Sequence, residues 1–208
     1  MGDGEVVLKQ ATKENVAWKS DEPTPFVKEA FSKGLIKPGE KVLDIGSGFG
    51  RNSNWLAAQG VEVSAVNIDN EELNTATSKA KALGVNVDYI EASATQLPLP
   101  EATFDVVLDL GCSHMLDGES QTVAEKEVAR VVKPGGYLIY FGFSKEHPVF
   151  RDKPESPMFR NVDDLQKIYG DDFEVVSVDT TRWKPMPDEK ANFTEHVGLN
   201  MVMKRKSG

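Results

Sequence analysis

Features that would place a chain in a secretory, membrane or disulfide-rich class are missing from this sequence of 208 residues. Its one cysteine, Cys112, excludes a disulfide within the chain and fits a reducing compartment. No apolar run approaches the ~20 residues that a membrane-spanning helix needs. The N-terminus also lacks the basic-then-apolar order of a signal peptide. We therefore expect a cytoplasmic protein that does not associate with a membrane.

Basic charge is also scarce, since 24 Lys and Arg residues face 33 Asp and Glu residues, for a formal net charge of −9. An acidic surface repels phosphate backbones, so nucleic acid is a poor partner. The composition, 39% hydrophobic and 27% charged, is that of a globular domain. We expect a single domain over residues 1–208, with a helical cover in 1–36 and a core in 37–208. The sequence leaves the oligomeric state open.

Short apolar runs alternate with amphipathic segments along most of the chain. The sequence predicts strands at 41–46, 61–68, 85–90, 104–110 and 137–143, helices at 50–60, 71–84 and 119–132, and a turn at 133–136. This alternation predicts parallel strands with helices on both faces of the sheet. Two further strand-like runs, 173–181 and 196–204, have no helix between them, which predicts an antiparallel pair. The predicted fold class is α/β: a doubly wound, mostly parallel, seven-stranded Rossmann-like sheet with a C-terminal antiparallel hairpin.

The first predicted strand ends in three glycines at alternate positions, Gly46, Gly48 and Gly50, shortly after Asp44. At the carboxyl end of a parallel strand, a glycine-rich turn lets the backbone approach a ligand, and the next helix directs free N–H groups at it. The dinucleotide-binding fingerprint needs a glycine at the sixth position of the motif, and Arg51 stands there. A phosphate-binding loop is excluded too, because no Gly-Lys-Ser/Thr follows.

The stretch LDIGSGFG (43–50) resembles the first motif of class I S-adenosylmethionine-dependent methyltransferases. FDVVLDLGCSHML (104–116) and VARVVKPGGYLIY (128–140) resemble the family's fourth strand with its loop and the start of its fifth strand. TPFV (24–27) and GFGRNSNWLAAQG (48–60) look most like the tellurite-resistance and thiopurine group of small-molecule methyltransferases. The resemblance implies methyl transfer from S-adenosylmethionine to a small-molecule acceptor. A motif of the Asn/Asp-Pro-Pro-Tyr type, which would hold a base or an amide nitrogen, is absent after the fourth strand.

The same resemblance implies which residues hold the methionine end of S-adenosylmethionine. They are Asp44, Gly46, Ser47, Gly48 and Gly50. Trp18, which precedes the core, would either close over the cofactor or anchor an N-terminal helix. A lid of this kind would expel water from around the sulfonium.

Two acidic positions of the family pattern are replaced here. Asn67 stands where the family has its ribose-binding acid, followed by Ile68 and Asp69; either Asn67 binds the ribose, or Asp69 reaches back to it, or Asp69 caps the next helix. Ser93 stands where the family has its adenine-binding acid, and the backbone of Ala94 would contact the ring. These replacements keep a second hypothesis open: a non-catalytic S-adenosylmethionine-binding sensor or partner subunit. Use of a modified cofactor is a third.

Direct displacement of a methyl group needs alignment of nucleophile, carbon and sulfur, and a base only when the nucleophile must lose a proton. Such groups should gather near the carboxyl ends of strands one, four and five. The candidate catalytic residues there are Asp109, His114 and His147, and no metal is implied. His114 would be a base or a substrate-orienting group, or else a packing residue. Asp109 would neighbour the methyl site or accept hydrogen bonds from loop N–H groups.

The stretch 144–161, after the fifth strand, is irregular and rich in proline. Long irregular segments in compact domains are often binding loops, and this one lies on the side where acceptors enter. Phe150, Met158 and Phe159 would wall a small apolar pocket, and Arg151 and Arg160 would meet an acid group.

Overall fold

The computed structural model describes residues 21–185, 191 and 193–207. The α-helices in this part are α1 Pro25–Ser32, α2 Arg51–Ala58, α3 Asn70–Leu83, α4 Gly118–Val131 and α5 Val162–Tyr169. The strands are β1 Lys41–Ile45, β2 Glu62–Asn67, β3 Asp88–Glu91, β4 Phe104–Leu110, β5 Val132–Ser144, β6 Phe159–Arg160, β7 Phe173–Trp183 and β8 His196–Arg205. Short 3₁₀ turns cover Ser113–Met115 and Pro148–Arg151.

The strands form one sheet in the order β3-β2-β1-β4-β5-β8-β7, with β6 paired to β5. The pairs from β3 to β5 are parallel, whereas β8 is antiparallel to both β5 and β7. The predicted seven-strand α/β fold with its closing hairpin is therefore confirmed. The two-residue strand β6, also parallel to β5, is an addition that the sequence did not predict.

Each face of the sheet carries its own apolar layer, because alternate residues of a strand point to opposite faces. On one face α1 and α2 pack on the central strands; the buried residues of this layer include Val27, Leu56, Val42, Val106 and Ile139. On the other face α4 and α5 pack on the same strands; the buried residues there include Val128, Leu165, Leu43, Val107 and Leu138. Strands buried on both faces read as continuous apolar runs, which explains why the sequence located them well.

The start of β5 differs from the prediction. The residues 133–136, predicted as a turn, belong to the strand: Val132 pairs with Phe104, and after a register shift Tyr137 pairs with Val106. Gly135, with φ of 78°, lies in this bulged part. A bulge absorbs the extra residues without ending the strand. Glycine favours both turns and bulges, so the residues 133–136 alone could not distinguish the two.

Helix α5 was also missed by the sequence analysis, although its start carries a readable signal. Asn161 Oδ1 accepts from the Asp164 N–H, and the Asp164 side chain accepts from the Asn161 N–H, both at 2.9 Å. This reciprocal capping box identifies a helix N-terminus.

None of the helices within the described residues is long and apolar enough to cross a bilayer. Trp18 lies outside the described residues.

The chain reverses its direction of winding between β1 and β4, which are neighbours in the sheet. Ligands of doubly wound sheets bind at such a point, beyond the carboxyl ends of the strands. Ile45 at the end of β1 pairs with Val66 of β2 and with Asp109 of β4. The glycine loop, the end of β2 and the loop after β4 therefore meet at one edge.

Candidate active site

The loop after β1 adopts backbone conformations that favour glycine. Gly46, Gly48 and Gly50 have φ angles of 69°, 53° and 75°. A Cβ on Gly50 would overlap the Tyr89 hydroxyl and lie 2.8 Å from the Ala76 Cβ. The glycine at position 50 is thus required by the packing of the α2 N-terminus on β3 and α3.

Asp44 is buried near the end of β1, and its Oδ2 accepts a hydrogen bond from Ser53 Oγ of α2 at 2.6 Å. Burial raises the pKa of Asp44 to about 6, and the Ser53 hydroxyl and the Arg51 guanidinium oppose that rise. Burial also lowers the pKa of Arg51, an effect that Asp44 counteracts. Ionised Asp44 would be stabilised by a further cation beside it, such as the ammonium group of an amino acid.

Two hydroxyls near this loop, Ser47 Oγ and Thr24 Oγ1, are buried without a hydrogen-bond partner among the residues that the structure describes. Ser47 belongs to the loop itself. Thr24 precedes α1, and its N–H donates to Asn52 Oδ1 at 2.8 Å, which holds it at the start of α2. Buried hydroxyls are normally paired, so a polar ligand group beside either atom would satisfy it. Thr24 is not among the predicted site residues, because its place depends on the contact with distant Asn52.

The residues after β2 resolve one of the alternatives left open by the sequence. Asp69 Oδ1 accepts from the N–H groups of Glu71 at 2.9 Å and Glu72 at 3.2 Å, so Asp69 caps α3. Asn67 is buried at the end of β2, and its Nδ2 donates to Glu72 Oε2 at 2.8 Å and to the Asp69 carbonyl at 3.4 Å. Glu72 therefore lies beside Asn67 at the end of β2, although no motif in the sequence pointed to it.

Ile68 and the Ser93 segment follow the neighbouring strands β2 and β3. The Ile68 side chain is 72% exposed. The Ser93 hydroxyl lies 2.7 Å from Thr95 Oγ1 and accepts from the Thr95 N–H at 3.2 Å. Ala94 packs against the apolar layer under α4 and α5. An exposed apolar side chain and a hydroxyl at the ends of adjacent strands suit the flat face and polar edge of a purine.

Asp109 is fully buried in β4, where its Oδ1 accepts from the Ser113 N–H at 3.0 Å and its Oδ2 from the Ser113 hydroxyl. Burial raises the pKa of Asp109, and hydrogen bonds from Ser113 and Cys112 oppose the rise. These bonds fold the loop after β4 into the 3₁₀ turn that carries His114. The geometry favours the second predicted role of Asp109, as an acceptor for loop N–H groups.

His114 is 3% exposed, and within the described part of the chain its Nδ1 has no hydrogen-bond partner. Burial and the nearby positive charge of Arg160 lower the pKa of His114 to about 3, so the ring is neutral at physiological pH. The Tyr140 hydroxyl is likewise buried without a described partner. Both groups border Gly142, since a Cβ there would overlap the Tyr140 hydroxyl and lie 3.2 Å from His114 Cγ. A neutral imidazole of such low pKa is a weak base but a good orienting group.

His147 forms a pair with His196 of β8: His147 Nε2 lies 3.0 Å from His196 Nδ1, and both rings are buried. His147 Nδ1 accepts from the Val149 N–H at 3.2 Å and caps the 3₁₀ turn. Because Nδ1 is an acceptor, the proton of neutral His147 lies on Nε2, which donates to His196. Both ring nitrogens of His147 are therefore used within the fold.

Aromatic rings gather around Phe143, near the carboxyl end of β5. The centroid of the half-buried Phe143 ring lies 5.4 Å from His114, 5.2 Å from His147 and 5.7 Å from His196. Trp183 of β7 stacks on Phe143 at 6.1 Å with 15° between the planes. Phe143 thus links all three histidines of the sequence in one aromatic cluster.

The stretch 144–161 is fastened to the fold. Phe159 is buried in β6, and Arg160 NH2 lies 3.5 Å from Glu125 Oε1 of α4 and donates to Gln121. Arg160 therefore meets an acid of the protein itself. Burial raises the pKa of Glu125 to about 7, and Arg160 opposes that rise. The searched residues contain no group of three or more His, Cys, Asp or Glu side chains placed to hold a metal.

Comparison with known proteins places this geometry in a family. The methyltransferase domain family matches residues 43–140. A ubiquinone/menaquinone biosynthesis C-methyltransferase UbiE from Haemophilus ducreyi is 32% identical over 178 residues, which is 80% of this chain and 67% of the relative. The chain belongs to the class I S-adenosylmethionine-dependent methyltransferases. An UbiE from Vibrio vulnificus is also 32% identical, over 64% of this chain and 47% of its own length.

The fold agrees with this assignment. A structure of a S-adenosylmethionine-dependent methyltransferase from Methanosarcina mazei has a TM-score of 0.72 and 18% identity, covering 90% of this chain and all 100% of that one. The predicted reaction class, methyl transfer from S-adenosylmethionine, is confirmed by membership of this family. The relatives include UbiE enzymes, and nothing among them supports the narrower tellurite-resistance and thiopurine assignment.

S-adenosylmethionine is the cofactor of this methyltransferase, and the site fits it. The acid Asp44 and the unpaired Ser47 hydroxyl suit an amino-acid end, and Asn67 with Glu72 offers acceptors to a sugar. Exposed Ile68 and the Ser93 hydroxyl suit a base. The predicted cofactor residues within the described part of the chain come together along one edge of the sheet. The predicted catalytic residues lie beside that edge, and His114 Nδ1 has no hydrogen-bond partner in the part of the chain that the structure describes.

Proposed function

We propose that this methyltransferase acts on a small aromatic ring of quinone or phenol type, bound near the end of β5. The carrying observation is that His114 Nδ1, buried beside the ring of Phe143, has no hydrogen-bond partner among the described residues. Aromatic rings prefer stacked or edge-to-face neighbours, and half-buried Phe143 and Trp183 provide such surfaces. The UbiE relatives, named as C-methyltransferases of ubiquinone/menaquinone biosynthesis, support a ring acceptor.

On the cofactor side, we assign the methionine end to Asp44, Ser47 and the glycine loop. Bound S-adenosylmethionine supplies an electrophilic methyl group on a sulfonium. Ionised Asp44 would favour the ammonium group of the amino acid, and the Ser47 hydroxyl would bond its polar end. Ile68 would pack on the adenine face, and Ser93 with the Ala94 backbone would bond its edge. Trp18 is proposed as a lid residue on the family resemblance alone.

On the acceptor side, His114 is proposed to orient the ring through a hydrogen bond from or to Nδ1. Its low pKa keeps it neutral, so it holds a hydroxyl or carbonyl oxygen and does not carry a proton away at neutral pH. Asp109 acts through Ser113, whose turn positions His114. His147 is engaged with His196 and Val149, which supports a structural role for it.

Broader properties remain proposals that the sequence supports. They are a single domain over residues 1–208 with a helical cover in 1–36, a cytoplasmic location, and membership of the tellurite-resistance and thiopurine group. That group shares a small acceptor with the proposal above. The acidic charge supports a protein that does not bind nucleic acid.

The test is turnover on a panel of small phenols, hydroquinones, thiols, amines and carboxylic acids, followed by release of S-adenosylhomocysteine. We expect activity with a ring acceptor. His114→Ala should lower kcat/KM about 10²-fold through lost orientation of the acceptor and leave S-adenosylhomocysteine affinity nearly intact. His114→Asn, which keeps a polar atom near the Nδ1 position, should retain more activity than His114→Ala.

The pH profile gives a second measure. Since His114 is neutral from about pH 4 upward, its protonation should contribute no limb near pH 6.5 to the rate of the wild type. Turnover found only with protein or nucleic acid would contradict the small ring acceptor. Tight cofactor binding without turnover on any class would favour the sensor hypothesis instead.

A further inference from the structure

The pair Asn67–Glu72 at the end of β2 has a bonding pattern that suits a vicinal diol. An asparagine alone offers one acceptor and a donor amide, and it is a poor replacement for a carboxylate toward two hydroxyl groups. Here both amide hydrogens are used: Nδ2 donates to Glu72 Oε2 at 2.8 Å and to the Asp69 carbonyl at 3.4 Å. Among the residues that the structure describes, the atoms left for a ligand are acceptors, Asn67 Oδ1 and the second carboxylate oxygen of Glu72.

Glu72 does not form the capping-box hydrogen bond that its position in α3 would allow. It is the third residue of α3 after the Asp69 cap, the position from which a glutamate side chain often bonds back to the cap N–H. Helix α5 has this reciprocal arrangement, with Asn161 and Asp164. In α3 the Glu72 carboxylate bonds to Asn67 instead, and Asp69 alone caps the helix.

Burial and position agree with a ligand contact. Asn67 is 9% exposed and Glu72 is half-buried, next to Ile68 with its exposed side chain. Asn67 pairs with Glu91 of β3, so the acceptors lie between the glycine loop and the Ser93 segment in the order of the strands. A sugar that joins an amino-acid end at the loop to a base at Ser93 would pass this point.

We propose that Glu72 supplies the carboxylate that binds the ribose 2′- and 3′-hydroxyls of S-adenosylmethionine, with Asn67 holding it in place and accepting from one hydroxyl. This inference rests on the cofactor site proposed above. Charge-assisted hydrogen bonds are about twice as strong as neutral ones. A carboxylate brought from the helix thus compensates for the missing acid at the strand end.

The experiment measures binding of S-adenosylhomocysteine and of its 2′-deoxy and 3′-deoxy analogues by calorimetry. Glu72→Gln should weaken S-adenosylhomocysteine about 10–100-fold and lose most of the wild type's discrimination against at least one deoxy analogue. Glu71→Gln is the matched control, because it removes the same charge from the same helical turn and should stay within about twofold of the wild type.

The Asn67→Asp variant distinguishes this inference from the alternative that position 67 binds the ribose alone and lacks only its carboxylate. Beside Glu72 it places two carboxylates in contact, so it should weaken binding rather than tighten it. In the Asn67→Asp/Glu72→Gln double variant one carboxylate and one amide exchange places, and binding should recover to within about fivefold of the wild type. Thermal melting of each variant checks that it is folded.

The outcomes separate the two proposals. A wild-type chain that binds S-adenosylhomocysteine, with Glu72→Gln no weaker than Glu71→Gln, would contradict the role of Glu72 and leave the cofactor site standing. Tighter binding by Asn67→Asp alone would likewise assign the ribose to position 67 without Glu72. A folded wild type that binds neither S-adenosylmethionine nor S-adenosylhomocysteine would overturn the cofactor site and this inference with it.

Discussion

Cys112 occupies the space in which a side chain at Gly46 would lie: a Cβ on Gly46 would be 2.7 Å from Cβ and 2.8 Å from Sγ of Cys112. The side chain of Cys112, in the loop after β4, therefore packs directly against the backbone of the loop after β1. Burial raises the pKa of the Cys112 thiol, and the charges of Asp109 and Asp44 raise it further. The Cys112 side chain thus packs against Gly46, in surroundings that disfavour its thiolate form.

This contact predicts the effect of adding one methyl group. Gly46→Ala should lower the free energy of unfolding by about 2–5 kcal/mol, because it combines a strained left-handed backbone with overpacking against Cys112. Gly39→Ala is the matched control, since Gly39 has φ of 81° but no atom of the described residues lies within 4 Å of its Cβ position. It should cost only about 1–2 kcal/mol. If urea denaturation shows the same loss of unfolding free energy for Gly46→Ala and Gly39→Ala, the side chain of Cys112 moves aside without cost.

The pKa of Asp44 predicts a dependence of stability on pH. Its folded pKa of about 6 lies above the ordinary value of 3.8, so the folded state holds the proton more tightly. Its contribution is fully present below pH 3.8 and is lost as the pH rises through 6. Asp44→Asn should therefore stabilise the ligand-free protein above pH 7 by up to about 3 kcal/mol, and the gain should vanish toward pH 4.

The measurement is urea unfolding of both proteins between pH 4.5 and 8, together with binding of S-adenosylhomocysteine. Ser53→Ala serves as the control, because it removes a bond that opposes the rise of the Asp44 pKa and should steepen the pH dependence. The same Asp44→Asn change should weaken cofactor binding. A variant that is destabilised equally at both ends of the pH range would refute the titration of Asp44.

The ion pair of Arg160 and Glu125 predicts a third result. The Glu125 side chain is only 4% exposed, so Arg160→Met would leave a buried carboxylate without its cation. At pH 8 this should cost about 3–5 kcal/mol. Because the Glu125 pKa is about 7, the carboxylate can take up a proton at lower pH, and the loss should be smaller at pH 6.

The double variant Glu125→Gln/Arg160→Met is the control for this pair. It removes both charges and should recover most of the stability of Arg160→Met at pH 8. Thermal unfolding of the three proteins at the two pH values provides the comparison. Similar losses for the single and double variants would mean that the bond of Arg160 to Gln121, and not the ion pair, fastens the stretch after β5.

The sequence by itself determined the α/β class, the parallel core and the glycine loop after the first strand. Buried strands and amphipathic helices leave periodic patterns, and left-handed turns demand glycine at 46, 48 and 50 whatever surrounds them. The spaced motifs from 43 to 140 were enough to indicate methyl transfer. These signals are local, so each can be read from a few neighbouring residues.

Only the tertiary structure decided how polar side chains are used. Asp69 and Glu72 are both acids near the start of α3, yet one caps the helix and the other bonds to Asn67. His147 and His114 each follow a strand of the predicted core, so the sequence offered both as catalytic candidates. His147, however, is paired with His196, 49 residues away. Arg160 was expected to meet a ligand and instead meets Glu125. A side chain's partner depends on which distant residue the folded chain brings within about 3 Å, and no local pattern carries that information.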